Sequence, residues 1–187
     1  MKPMRVFFAL AMPQSTQRLL AEILASAQRY IPAAEVHWVP KENLHITLQF
    51  IPEVHINDLP QLIENVRSSL TNLSSFYLEL KGMEFFPTPT RPRIISLAVG
   101  PSDCLTQLST VIGQGIKASN YPVETRAFRG HLTLGRLRRI HQSFSLEKIK
   151  MPLIPRIWID EIHLFESRPG KEHSNYIPLA HLELNKN

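Results

Sequence analysis

The sequence predicts a mixed fold of helices and strands whose two halves are related by a pseudo-two-fold axis. Three observations predict it. A buried strand, a helix and a second strand follow one another near the start of the chain. The same series returns in the second half, which indicates an internal duplication. Each series ends in the pattern His-apolar-Thr-Leu, with nearly the same spacing from the first strand to the histidine.

The first half opens with an apolar run over residues 5–11, which predicts a central strand buried on both faces. Apolar side chains recur at three- and four-residue spacing over residues 14–30 and predict a helix, with Ser15 as its N-cap. The alternating segment 44–50 predicts a half-buried strand. The other elements expected in this half are an extended piece at 36–39, a helix over 57–70 and a strand over 76–86.

The second half begins with a second apolar strand over residues 93–99, followed by a helix over 103–118. A strand within 128–137 then carries the second His-apolar-Thr-Leu pattern. Two further strands are expected at 157–165 and 176–184, joined by a polar turn.

Composition points to an ordinary globular protein. Of the 187 residues 43% are hydrophobic and 20% are charged, which excludes a disordered, collagen-like or coiled-coil chain. Residues 1–187 are expected to form a single bilobal domain with no separable second domain. There is no uncharged apolar stretch of about 18 residues, so no membrane span is expected. The apolar run near the start is short for an export signal, so a reducing, cytoplasmic setting is expected.

Charge and cysteine usage narrow the chemistry further. The net charge of +5 suits an anionic partner such as RNA or a phosphate. The only cysteine, Cys104, excludes an internal disulfide framework and a cysteine-rich zinc site.

The two His-x-Thr patterns are the candidate chemistry. Because side chains alternate along a strand, His45 and Thr47 share one face, as do His131 and Thr133. If each pair faces the groove between the halves, two imidazoles meet across it. An unperturbed histidine has a pKa of about 6.5, so one ring can act as a base while the other acts as an acid. Threonine hydroxyls can donate hydrogen bonds to phosphate oxygens, where charge builds in the transition state.

These groups suit phosphodiester cleavage, above all hydrolysis of a strained cyclic phosphate. Neither a metal nor a cofactor is required. Two less specific interpretations stay open. A single His-x-Thr on a strand is more often a histidine that is satisfied by the backbone, although the duplication argues against this. Two histidines can also bind zinc, but no third or fourth ligand is evident.

The segments Asn43–Phe50 and Arg126–Arg136 resemble the two signatures of the two-histidine phosphoesterase superfamily. The chain is most similar to the bacterial RNA 2′,3′-cyclic phosphodiesterases, once called 2′-5′ RNA ligases, over nearly its whole length. The resemblance implies a bilobal α+β fold in which two antiparallel sheets line a central cleft and helices pack outside. It also implies hydrolysis of a terminal 2′,3′-cyclic phosphate to a 2′-phosphate. His45 would then be the proton donor and His131 the proton acceptor, although the sequence alone does not assign the two parts.

Two residues lie five positions beyond the histidines. A regular strand turns Arg136 away from the groove, but a bulge at Gly135 would turn it back, and the resemblance favours a phosphate-contacting arginine. Phe50 has the same offset from His45. It is a candidate for stacking on a base, although core packing is favoured. Five arginines form the densest basic region and could steer RNA: Arg126, Arg129, Arg136, Arg138 and Arg139. Six histidines are assigned no chemistry: His37, His55, His141, His163, His173 and His181.

The expected partner is an RNA with a 2′,3′-cyclic phosphate end, or a small cyclic nucleotide, and the expected state is a monomer. Two alternatives remain. A related enzyme of the same superfamily would cleave or form 2′-5′ linkages. A non-catalytic module would bind RNA ends without turning them over.

Overall fold

A computed structural model describes residues 3–139 and 144–186. The strands are β1 (Met4–Ala11), β2 (Val36–Trp38), β3 (His45–Val54), β4 (Phe76–Phe86), β5 (Ile94–Gly100), β6 (His131–Leu137), β7 (Ile157–Ile159), β8 (Glu161–Arg168) and β9 (Asn175–Glu183). The helices are α1 (Gln14–Tyr30), α2 (Leu59–Ser69) and α3 (Ser102–Ala118). The α+β class is confirmed.

The strands form two sheets with antiparallel pairing. One sheet has the order β3-β1-β8-β9 and the other has the order β2-β6-β5-β4-β7. The apolar strands β1 and β5 lie in the interior of their sheets, as their unbroken hydrophobic runs predict. The predicted strand over 157–165 is wrong in one respect. The chain changes sheet at Asp160, so that β7 pairs with β4 while β8 pairs with β1.

The duplication is visible in the strand register. In the first half β1 pairs with β3, and in the second half β5 pairs with β6 in the same way. Ala11 lies opposite His45, and Ala98 lies opposite His131. A small residue therefore stands beside each imidazole, which leaves room for the ring. The two strands that carry the motifs, β3 and β6, approach each other with Cα atoms within 8 Å.

The helices cover the sheets through apolar faces. The buried residues of α1 are Thr16, Leu20, Ile23, Leu24 and Ala27. The predicted Ser15 cap is wrong, because Pro13 is the N-cap and its carbonyl accepts the Gln17 N–H at 2.9 Å. No described helix is long and apolar enough to cross a membrane.

Helices α2 and α3 are in close contact at Gly115. A Cβ atom there would lie 2.6 Å from the Val66 Cα and 2.8 Å from the Val66 nitrogen. Since both atoms belong to the backbone, they have little room to move. Gly115→Ala should therefore lower the free energy of unfolding by about 1–3 kcal/mol, measured by urea denaturation. Gly82→Ala is the matched control, because nothing lies within 4 Å of the added Cβ. Equal stability of the two variants would contradict this interpretation of the contact.

Candidate active site

Both His-x-Thr motifs line one cavity of about 460 Å³ between the sheets. In each strand the apolar neighbours point the other way, and Ile46, Leu48, Leu132 and Leu134 are buried in the core. The alternation of the two strands thus places His45, Thr47, His131 and Thr133 around the same space.

His45 is held by its own strand. Its Nδ1 lies 2.7 Å from the carbonyl oxygen of Asn43, and its Nε2 lies 3.0 Å from the Thr47 hydroxyl oxygen. A carbonyl only accepts hydrogen bonds, so Nδ1 carries a proton and Nε2 is the nitrogen that titrates. Phe7 and Tyr176 enclose the ring, with centroids 4.9 and 5.1 Å away.

His131 repeats the Nδ1 contact of this arrangement. Its Nδ1 lies 2.8 Å from the carbonyl oxygen of Arg129, two residues earlier, just as Asn43 precedes His45 by two. Its ring stacks on Phe86 with centroids 4.0 Å apart. The two imidazoles are therefore anchored through the same atom and offer the same nitrogen, Nε2, for proton transfer.

The surroundings favour neutral imidazoles at both positions. Burial lowers the pKa of His45 below 6.5, and the charges of His131 and Arg136 lower it further, against the opposing Asn43 hydrogen bond. Burial likewise lowers the pKa of His131, with smaller lowering by Arg129 and Arg136, while the Arg129 carbonyl and Glu84 oppose it. A negative charge between the rings would raise both pKa values, because it favours the imidazolium form.

Arg136 lines the cavity as the bulge hypothesis expects. Ile95 pairs with Gly135 and Ser96 pairs with Thr133, so Leu134 is an extra residue in β6. The extra residue reverses the alternation and brings Arg136 to the face of His131. Gly135 has a steric reason to be glycine: a Cβ there would lie 2.5 Å from the Val36 Cγ1.

Phe50 also lines the cavity, and the favoured expectation of core packing is wrong. Phe8 pairs with Gln49 and Ala9 pairs with Thr47, so Leu48 is an extra residue in β3. This bulge occupies the same place as the one at Leu134. Phe50 is 38% exposed, and the Arg5 guanidinium carbon lies 5.4 Å from its ring centroid.

Several further cavity residues were not identified from sequence. Arg5 and Phe7 come from β1, and Tyr176 comes from β9. His37 and His173, to which no chemistry was assigned, also line the cavity, with ring centroids 4.5 Å apart. Alternation in β1 could have identified Arg5 and Phe7, but no sequence signal connects His37 to His173.

The loop before β9 closes one side of the cavity. Glu172, His173 and Ser174 belong to the lining. The Asn43 side-chain amide donates to the Ser174 carbonyl at 2.8 Å, and the His37 Nε2 lies 3.0 Å from the Glu172 carbonyl. Asn43 thus holds His45 through its backbone and the loop through its side chain.

A second cavity of about 720 Å³ adjoins the first and shares Thr47, Phe50 and His131 with it. Apolar rings and two arginines contribute to its wall: Phe86, Pro87, Pro122, Phe128, Arg126 and Arg129. It offers flat surfaces beside the motifs.

Part of the predicted basic region has local partners. Arg126 forms an ion pair with Glu124 at 2.6 Å and lowers the pKa of that carboxyl to about 2. Arg129 donates to the Pro87 carbonyl at 3.0 Å, and its guanidinium carbon lies 4.7 Å from the Phe86 ring centroid. Arg136 lines the first cavity, whereas Arg126 and Arg129 line the second.

Within residues 3–139 and 144–186, no group of three or more His, Cys, Asp or Glu side chains is placed to hold a metal ion. Of the other unassigned histidines, His163 pairs with Glu161 at 3.2 Å. His181 lies opposite His163 on β9, and His55 is exposed. His141 lies outside the described residues.

Comparison with known proteins gives consistent matches. Residues 13–171 match the sequence profile of the 2′-5′ RNA ligase superfamily. An RNA 2′,3′-cyclic phosphodiesterase of Thermotoga maritima is 25% identical and covers 88% of this chain and 87% of its own. One from Archaeoglobus fulgidus is 31% identical over 73% of this chain and 74% of its own. The crystal structure of E. coli LigT complexed with NADP+ aligns with a TM-score of 0.78 at 23% identity, covering 98% of this chain and 99% of that chain.

Proposed function

Because the chain belongs to the 2′-5′ RNA ligase superfamily, we propose that it hydrolyses the 2′,3′-cyclic phosphate at the 3′ end of RNA to a 2′-phosphomonoester. The observation that carries this proposal is the matched anchoring of two imidazoles around one cavity. Each Nδ1 faces a backbone carbonyl two residues earlier in the chain. The curated relatives named RNA 2′,3′-cyclic phosphodiesterase support the same substrate class.

In the proposed reaction, His131 Nε2 takes a proton from water as the water oxygen bonds to phosphorus. The bond from phosphorus to the 3′ oxygen breaks, and protonated His45 gives its Nε2 proton to that oxygen. The product keeps the phosphate on the 2′ oxygen. His45 ends neutral and His131 ends protonated, and exchange with solvent restores both. The assignment of acid and base follows the family resemblance.

The other groups bind the phosphate and the nucleoside. Thr47 and Thr133 would donate hydrogen bonds to the non-bridging oxygens, where negative charge grows in the transition state. Arg136 would pair with the same oxygens. Phe50 would stack on a base, and the second cavity offers room for a further part of the RNA end.

The bound phosphate would also prepare the acid. The pKa of His45 is lowered in the free protein, so most molecules carry a neutral His45 ring near pH 7. A cyclic phosphate carries one negative charge, which favours the imidazolium form of a nearby histidine. Substrate binding would therefore supply the protonated His45 that the reaction requires.

The test is product analysis with purified protein. An RNA ending in a 2′,3′-cyclic phosphate should give only the 2′-phosphate, with unchanged activity in EDTA. A linear 2′-5′ oligoadenylate is assayed beside it. Faster cleavage of the 2′-5′ linkage, or ligation of 2′-5′ ends, would favour the related enzyme. Binding without turnover would favour the non-catalytic module, and loss of activity in EDTA would favour the zinc alternative.

The pH dependence of the reaction should reflect the two lowered histidine pKa values. The rate rises with pH as the base loses its proton and falls as the acid loses its proton, so kcat/KM peaks midway between the free-enzyme pKa values. Since both lie below 6.5, the maximum should lie below pH 6.5. The maximum of kcat should lie at higher pH, because bound phosphate raises both pKa values. Steady-state rates from about pH 4.5 to 9 measure both profiles, and a kcat/KM maximum above about pH 7.5 would contradict the prediction.

A further inference from the structure

The bulge in β3 reverses the orientations that regular strand alternation would give to Gln49 and Phe50. Without the extra residue, Gln49 would share the cavity face of Thr47, and Phe50 would turn inward with Leu48. With it, the Gln49 amide is buried at 9% exposure while Phe50 is 38% exposed. Burying an amide and exposing an aromatic ring both cost free energy, so this conformation needs a compensating interaction.

That interaction comes from α3, through Ser109. The Ser109 hydroxyl donates to the Leu48 carbonyl at 2.8 Å, which satisfies the backbone oxygen of the extra residue. The Gln49 side-chain nitrogen donates to the Ser109 carbonyl at 3.1 Å and to the Ser109 hydroxyl oxygen at 3.0 Å. Ser109 is 1% exposed. A single buried serine thus accepts both hydrogen bonds of the Gln49 side-chain nitrogen and supports the bulged backbone, while the Gln49 Oε1 is buried without a partner among the described residues.

The matching bulge in β6 is supported in another way. The Leu134 carbonyl accepts the backbone N–H of Val39 at 2.9 Å. Gly135 stands where Gln49 stands in the first half, so there is no side chain to satisfy. In both halves the extra residue's carbonyl has a donor outside its two-strand ladder. Only in the first half is that donor a side chain, so that truncating one side chain removes it.

We infer that Ser109 is a positioning residue for the proposed reaction: with Gln49, it holds the β3 bulge that turns Phe50 toward the cavity. This inference rests on the proposed function for its kinetic consequences. Its structural part concerns only the direction of Phe50. Ser109 acts through Phe50 and does not itself reach the reacting phosphate.

The test is Ser109→Ala, assayed on a cyclic-phosphate RNA and on a cyclic ribose phosphate that lacks a base. Base stacking on an aromatic ring is worth about 1–3 kcal/mol, so KM for the RNA should rise roughly 5- to 150-fold, as in Phe50→Ala. The change in kcat should be smaller, and KM for the base-free substrate should stay as in the wild type. In the Phe50→Ala background, Ser109→Ala should raise KM no further.

Matched variants separate positioning from stability. Ser109→Thr keeps the hydroxyl and should retain a low KM. Thr110→Ala removes a neighbouring hydroxyl on the same helix, one that bonds to Thr106 within α3, and should leave KM unchanged. If Ser109→Ala does not fold, Ser109→Cys keeps nearly the same volume but weakens both the hydrogen bond to the Leu48 carbonyl and the one from the Gln49 amide, and it should show the same dependence on Phe50.

The outcomes are distinguishable from failure of the proposed function. If wild-type protein does not hydrolyse the cyclic phosphate, the proposed function fails, and a crystal structure of Ser109→Ala still tests the bulge. Phe50 turned inward in that structure supports the inference, and Phe50 facing the cavity as before overturns it. With an active enzyme, two kinetic results also overturn it. One is an unchanged KM in Ser109→Ala. The other is a rise in KM that is just as large when Ser109→Ala is made in the Phe50→Ala background.

Discussion

Replacing either imidazole should nearly abolish turnover. His45→Ala and His131→Ala each remove one proton-transfer group, and such groups contribute about 10²- to 10⁴-fold to a rate. We expect kcat on a cyclic-phosphate RNA to fall by that much in each variant, with KM changing far less. The double variant should be little worse than the more damaged single variant, because the two groups act in one step. Unchanged thermal unfolding would show that the fold is intact.

His55→Ala is the matched control, because its side chain is exposed and outside both cavities. A substrate with a p-nitrophenolate leaving group assigns the two roles. Such a group needs no proton to leave. Loss of the acid should therefore lower the rate little, whereas loss of the base should lower it as much as it does with RNA. The proposed roles require rescue in His45→Ala alone. Rescue in His131→Ala alone would exchange the roles, and full activity of either variant on RNA would reject the acid–base pair.

Replacing Arg136 should give the second-largest loss and also move the pH profile. Arg136→Gln removes the charged hydrogen bonds proposed to reach the phosphate. Hydrogen bonds to charged groups contribute about 1.5–3 kcal/mol, so kcat/KM should fall roughly 10- to 150-fold. Because the Arg136 charge lowers the pKa of both histidines, its loss should also move the kcat/KM maximum to higher pH.

Arg136→Lys separates these two effects. It keeps the charge but loses the planar pair of donors, so it should lose activity without moving the pH maximum. Arg67→Gln, at an exposed ion pair with Glu64 on α2, should change neither quantity. Loss of activity in Arg136→Gln with an unmoved pH maximum would mean that Arg136 does not act on the histidines.

The sequence could predict the duplication and the motif faces because both follow from strict periodicity. Period-two alternation places His45 with Thr47 on one face and the core leucines on the other. Unbroken apolar runs also identify β1 and β5 as interior strands. These predictions depend only on local chain geometry, which the order of residues carries directly.

The direction of Phe50 depends on tertiary structure and could not be predicted in this way. No glycine in the sequence indicates the bulge before Phe50, whereas Gly135 indicates the bulge before Arg136. The donor that stabilises the β3 bulge is Ser109, some sixty residues further along the chain. Similarly, His37 and His173 come together only because a loop folds over the cavity, and no periodic pattern connects them.

The two matching bulges make the two sides of the cleft different. They deliver Phe50 in one sheet and Arg136 in the other, at corresponding places opposite Phe7 and Ile94. If those two residues were alike, a cyclic phosphate ester could bind in either of two opposite orientations. The two histidines would exchange the roles of acid and base between them. With an aromatic ring at one position and a guanidinium at the other, the cleft would bind an asymmetric ligand, such as the proposed RNA end, in one orientation. Differences at such matching positions would thus let a cleft built from two similar halves distinguish the two ends of its ligand.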